Sequence, residues 1–167
     1  MDHIWSPWRY GYVTKQNPPK ECIFCIRGNP DQTPEEDRQN YVLYRGKHCF
    51  AILNLFPYSA GHLMVVPYEH VATLEAASRE AVLEMMDLTR ESERHLRRAY
   101  GAPGLNLGMN IGESAGAGIA GHIHMHVLPR WPGDTNFMTT VAETRVLPED
   151  LSTSYEKLYA AFHEVPR

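Results

Sequence analysis

The stretch Gly121–Trp131 reads GHIHMHVLPRW and sets His122, His124 and His126 at alternate positions, with Ile123, Met125 and Val127 filling the gaps. Three of the chain's nine histidines fall in this short run. Successive side chains of a β-strand face opposite sides of the sheet, so on a strand the imidazoles share one face and the apolar residues the other. The pattern predicts a strand whose Ile, Met and Val enter the core while the histidines line a cleft. Burying three imidazoles without partners would cost about 1–3 kcal/mol each, which a cleft avoids. Two chemistries suit such a row: ligation of a transition metal, or attack by one neutral imidazole while its neighbours bind and protonate a substrate. Just upstream, NIGESAGAGIAG carries Gly112, Gly116, Gly118 and Gly121. Glycines let backbone N–H groups close around an anion. Alone, such a loop is an ordinary strand connection; beside a row of histidines it points to phosphoryl chemistry.

Outward from this core, YVLYR, HCFAILN and HLMVVP are short β-branched and aromatic runs separated by turn residues, which predicts three antiparallel strands from Tyr41 onward. LNLGMN and HIHMHVL add two more. Arg79 to Tyr100 carries Val82, Met85, Met86, Thr89, Leu96 and Tyr100 near a 3.6-residue period, with Ser78 as N-cap and Gly101 just past the end. This predicts a long helix with Arg94, Arg97 and Arg98 on its solvated face. A last helix is expected within Glu149 to Glu164, started by Pro148. The first 40 residues, dense in Pro, aromatics and turn formers, read as an irregular arm in which Trp5, Trp8, Tyr10 and Tyr12 could pin the segment down. The expected organisation is one domain over residues 1–167: an arm (1–40), a core (41–138) and a strand or helix extension (139–167).

The chain is 43% hydrophobic and 22% charged, with a net charge of −4. That field argues against a nucleic-acid-coating surface, and no run is long enough to span a membrane. The start, MDHIWSPWRYGYV, lacks the pattern of a signal peptide, so a cytoplasmic location is expected. Three cysteines, Cys22, Cys25 and Cys49, are too few for a disulfide framework. Cys49 inside a strand reads as a small core residue. Cys22 and Cys25 form a Cys-x-x-Cys pair, half of a tetrahedral zinc site; two unligated thiols are the competing reading. A redox dithiol is disfavoured because no helix start is expected at the pair.

HIHMHVL fits His-φ-His-φ-His-φ-φ, with φ apolar, at every position, and in this the chain resembles the histidine triad (HIT) superfamily of nucleotide-binding hydrolases and transferases. The similarity extends through LNLFPYSAGHLMVVPYEHV and NLGMNIGESAGAG; IWSPWR, CIFC and PRWPGDTNFM resemble the bacterial branch that includes diadenosine tetraphosphate phosphorylases. The resemblance implies an α+β, HIT-like fold: an antiparallel sheet of about five strands, one long helix and a C-terminal helix. It also implies a homodimer acting on a purine nucleotide or dinucleoside polyphosphate, with no organic cofactor and no nucleic-acid or membrane partner.

By the same resemblance His124 would attack the α-phosphorus and carry a covalent nucleotidyl group, with its other ring nitrogen held by an acceptor such as a backbone carbonyl. His126 would hydrogen-bond the transferring phosphate or leaving group. Asn54 would contact the ribose, His62 would support the triad and Asn110 would sit near ribose or phosphate; taken alone, each of these three reads as structural. Gly116, Ala117, Gly118 and Ile119 would supply phosphate-binding backbone. A structural zinc would be held by Cys22, Cys25, His70 and His122, so that His122 is oriented by the metal. One departure is Gly118, where many HIT hydrolases carry Gln or Ser. It leaves hydrolysis and phosphorolysis both open, and keeps a low-turnover nucleotide-binding module as a rival. A plain metal-binding protein fits less well, since the Gly-rich loop would then be idle.

Overall fold

A computed structural model describes residues 21–134 and 149–164. The arm aromatics Trp5, Trp8, Tyr10 and Tyr12, the helix start at Pro148 and the first part of the C-terminal extension lie outside those residues. Two short helices, α1 (Ile23–Arg27) and α2 (Pro34–Gln39), precede the sheet. Strands β1 (Val42–Arg45), β2 (Cys49–Leu53) and β3 (Leu63–Pro67) follow, then the long helix α3 (Arg79–Tyr100). After it come β4 (Gly104–Gly108), a single helical turn at Glu113–Ala115, β5 (Met125–Arg130) and the final helix α4 (Leu151–His163). All pairings are antiparallel, in the order β1-β2-β3-β5-β4. The fold is α+β with five strands, as the alternating runs predict.

Each face of the sheet is covered by something different. Leu43, Cys49, Ala51, Leu53, Leu63, Val65, Ile123 and Val127 pack against Ala81, Met85, Leu88 and Leu96 of α3 and Tyr155 and Leu158 of α4. On the other face Val42, Phe50, Ile52, Met64 and Val66 pack around Phe24 of α1. That double cover explains why every residue of β2 and β3 is buried. It also puts His124 and His126, opposite in pleat to Ile123 and Val127, on the side of the arm.

Three sequence expectations are corrected. Residues 21–40 are not irregular: Thr33 and Glu36 form a capping box with Pro34 in the first turn of α2, and Cys22 is the N-cap of α1. A helix does therefore begin at the Cys-x-x-Cys pair. The buried stripe of α3 is Ala81, Met85, Leu88, Thr89, Ser92 and Leu96, whereas Met86 is exposed and Val82 half-buried. Its ends, with Ser78 accepting from Ala81 N–H and Gly101 left-handed, are where the capping residues predict them. Third, β5 begins at Met125, so His122, in a bend, and His124 lie just before the strand and only His126 within it. No helix among the described residues is long and apolar enough to cross a membrane.

Glu84 of α3 locks the helix to the β1–β2 turn. Its carboxylate accepts from the backbone N–H groups of Lys47 (2.9 Å), His48 and Cys49 (2.7 Å). Loss of a charged acceptor shared by several backbone donors costs more than one ordinary hydrogen bond. Glu84→Ala is expected to lower unfolding stability by about 2 kcal/mol in denaturant titration; a change under about 0.5 kcal/mol would contradict this anchoring role.

Candidate active site

Two clusters meet at His122. In the first, His122 and His124 are buried rather than lining an open surface, at 0% and 5% exposure, and His126 is half-buried. The cost expected of such burial is avoided because each ring has a partner. His122 Nε2 lies 2.9 Å from the Pro67 carbonyl and His124 Nδ1 lies 3.0 Å from the His122 carbonyl. A carbonyl oxygen only accepts, so both nitrogens carry protons. The tautomers follow: His122 turns an unprotonated Nδ1 toward the cysteines, and His124 keeps an unprotonated Nε2.

The same accounting runs through His62. Its Nδ1 accepts from Tyr58 N–H (3.2 Å) and faces Asn54 Nδ2 at 3.3 Å, while Asn54 Oδ1 accepts from Phe56 N–H. His62 Nε2 must then donate to His126 Nδ1, 3.0 Å away. This leaves the proton of His126 on Nε2, available as a donor. Asn54, expected at the ribose, also braces His62.

Register places these rings. His126 lies across from Met64 on β3 and Gly108 on β4. A side chain at Gly108 would meet nothing within 4 Å among the described residues. Burial pushes His124 below the ordinary imidazole value, against the opposing hydrogen bond to the His122 carbonyl. Burial, then repulsion from His124, pushes His126 down to about 4. Both rings are neutral at pH 7.

The second cluster joins the arm to this site. Cys22, Cys25, His70 and His122 bring one ligand atom each to within 4.8 Å of one another. Cys22 Sγ is 3.3 Å and Cys25 Sγ 3.7 Å from His122 Nδ1, and Cys25 Sγ is 3.2 Å from His70 Nδ1. A tetrahedral zinc with bonds of about 2.3 Å to sulfur and about 2.0–2.1 Å to nitrogen sets S···N near 3.5 Å. The donor set and spacing are compatible with zinc, and the Pro67 carbonyl fixes the His122 tautomer a metal would need. Burial and the neighbouring Cys22 push the Cys25 thiol above its ordinary value, opposite to the low value of a redox nucleophile.

The Gly-rich loop is less open than its sequence suggests. Gly112 carbonyl accepts from Ala115 N–H (3.2 Å) and Ala117 N–H (3.3 Å), and Glu113 carbonyl from Gly116 N–H. Ala117, expected among the phosphate-binding backbone, turns its N–H to the loop's own Gly112 carbonyl in this structure. Gly116 is left-handed and exposed, Gly118 is exposed, and Ile119 packs against the apolar cluster that contains Phe24 while its carbonyl accepts from His122 N–H. Asn110, half-buried after β4, makes no side-chain hydrogen bond to the histidines among the described residues. Phe24, the Pro67 carbonyl and the Tyr58 N–H were not foreseen; only Phe24, apolar between two cysteines, left a sequence signal.

The described residues thus form an antiparallel α+β sheet with the neutral imidazoles of His124 and His126 at the end of its central strands. The chain belongs to the HIT domain family, whose model matches residues 35–133. A Mycobacterium tuberculosis relative named AP-4-A phosphorylase is 36% identical over 89% of this chain and 78% of its own length. An adenylylsulfatase of Arabidopsis thaliana is 31% identical over 72% of this chain and 57% of its own. A Zn-bound histidine triad family protein from Mycobacterium smegmatis superposes with a TM-score of 0.67 at 29% identity, over 84% of this chain and 92% of that one.

The depressed His126 value has a stability consequence. The unfolded chain takes up a proton near pH 6.5 that the folded ring refuses until about pH 4. This contribution to stability is present above pH 6.5 and lost as pH falls toward 4. His126→Gln is expected to reduce the acid slope of a stability-versus-pH curve over that window; an unaltered slope would count against the buried, neutral ring.

Proposed function

We propose that this HIT-family protein is a nucleotide-processing enzyme that cleaves the α-phosphate linkage of a dinucleoside polyphosphate or related nucleotide conjugate through a nucleotidyl-His124 intermediate. The observation that carries it is the 3.0 Å contact of His124 Nδ1 with the His122 carbonyl, which commits the proton to Nδ1 and leaves Nε2 free to attack. The bond from Nε2 to phosphorus forms as the bond from phosphorus to the leaving oxygen breaks. His126 Nε2–H, aligned by His62, Asn54 and the Tyr58 N–H, hydrogen-bonds the phosphate or the departing oxygen. A second acceptor then takes the nucleotidyl group from His124. Gly116, Gly118, Ile119 and Asn110 are proposed to lie along the bound phosphates and ribose.

Water as acceptor gives a nucleoside monophosphate; inorganic phosphate gives a diphosphate. Identity of 36% to a protein named AP-4-A phosphorylase favours phosphate, and Gly118 supports it by placing no side chain where many HIT hydrolases carry Gln or Ser. Zinc, when bound by Cys22, Cys25, His70 and His122, would tie the arm to the site and orient the His122 ring. A homodimer belongs to the same proposal: β4 is an edge strand, and Leu107 and Ile111 are exposed on and beside it. Three free cysteines and no described membrane helix support a cytoplasmic setting.

His124→Ala is expected to reduce turnover of diadenosine tetraphosphate by on the order of 10³-fold or more with the fold kept, since loss of a nucleophile is among the largest single losses an active site shows. Retained activity would refute the role given to His124. With wild-type protein, added phosphate is expected to shift the product from monophosphate to diphosphate; monophosphate alone at saturating phosphate would make the enzyme a hydrolase. Sedimentation is expected to give the mass of two chains, and a single-chain mass would contradict the dimer.

A further inference from the structure

His124 is held to the backbone by one hydrogen bond, and one point of attachment does not fix the plane of a ring whose terminal torsion is intrinsically broad. Packing must do so. Two rings bracket it: His126 at 4.8 Å between centroids and 75° between planes, and Phe24 at 4.9 Å and 51°. Phe24 also meets the His122 ring edge-on at 5.4 Å. Phe24 is 4% exposed, sits in α1 between the two thiols of the metal-compatible cluster, and packs with Val42, Phe50, Ile52, Met64 and Val66. The arm approaches the sheet so closely here that a Cβ on Gly28 would lie 2.7 Å from the Phe50 ring.

We propose that Phe24 is a positioning residue for His124: it fixes the plane of the imidazole so that the Nε2 lone pair aims at phosphorus, and the Cys22, Cys25, His70 and His122 cluster holds Phe24 in place. The proposal rests on His124 being the nucleophile. The cluster acts on the chemistry by two routes that share no bond with substrate: the His122 carbonyl that sets the tautomer, and the Phe24 ring that sets the orientation. Cys22 and Cys25 flank Phe24 in the chain, so a metal that fixes both thiols leaves the ring little freedom to move.

Full-length Phe24→Ala and Phe24→Leu, each brought to one zinc equivalent, separate this role from a merely structural one. With diadenosine tetraphosphate, Phe24→Ala is expected to lower kcat on the order of 10–100-fold, the scale of a small misplacement of reacting groups, with KM within about threefold. Phe24→Leu, which keeps most of the volume, is expected to fall between. In substrate-free protein, side-chain nitrogen-15 spectra of His124 are expected to show one sharp Nδ1–H signal in wild type and a broadened one in Phe24→Ala, because a ring free to swing out of plane breaks and remakes its bond to the His122 carbonyl. Wild-type His124 signals with kcat within about twofold in both variants would overturn the proposal. A loss confined to KM would also overturn it, because the ring would then contact substrate instead of His124. Should Phe24→Ala not retain zinc, Phe24→Leu decides: wild-type spectra and kcat there would overturn it. The spectra need no turnover, so broadened His124 signals alongside an active His124→Ala variant would place the error in the nucleophile assignment and not in the packing.

Discussion

The hydrogen bond from His124 Nδ1 to the carbonyl of His122 is the contact on which the site depends. It is local: the ring of one residue reaches back to the backbone of the residue two positions before it. Because the acceptor is a carbonyl, the bond admits one tautomer. Because the ring is buried, protonation of the remaining nitrogen is disfavoured. In the proposed mechanism a neutral, correctly protonated His124 thus needs no general base in the resting protein. His122 holds a second post through its own ring, donating from Nε2 to Pro67 and presenting Nδ1 to Cys22 and Cys25. The residue that sets the tautomer of His124 is therefore also the residue that ties the arm to the sheet.

Around that bond the sheet divides its labour. One face is apolar and closed by α3 and α4, which gives the strands a rigid backing. The other is covered by α1 over β1–β3 and carries the imidazoles at the end of β5. The tautomer sequence continues on this face from the Tyr58 N–H through His62 to His126, so that the third histidine presents a proton where the second presents a lone pair. Opposite protonation on adjacent rings suits nucleotidyl transfer, in which one nitrogen attacks phosphorus and another stabilises the oxygen that leaves. The Gly-rich loop, by contrast, spends several of its own donors on its own turn.

Much of this was legible in the chain. Alternation in HIHMHVL gave the shared face of the histidines, and Ser78 and Gly101 marked the ends of the long helix because capping is a short-range signal. The family resemblance, more than spacing, brought Cys22, Cys25, His70 and His122 together. What escaped depended on partners distant in sequence. The burial of His122 and His124 was missed because it is made tolerable by main-chain carbonyls, which no residue type announces. The stripe of α3 rotated away from Val82 and Met86 because the helix packs on both the sheet and α4. The capping box at Thr33 and Glu36 was present in the letters but obscured by the surrounding Pro, Asn and Asp. The contact of Asn54 with His62 is invisible in the letters, since it arises only when the β2–β3 loop closes.

The most direct test is to quench full-length protein during turnover of diadenosine tetraphosphate and map any covalent adduct by mass spectrometry under conditions that preserve phosphorus–nitrogen bonds. One adenylyl group per chain, localised to His124, is the expected result. An adduct on another residue, or steady product formation with no adduct on rapid quenching, would contradict covalent transfer through His124.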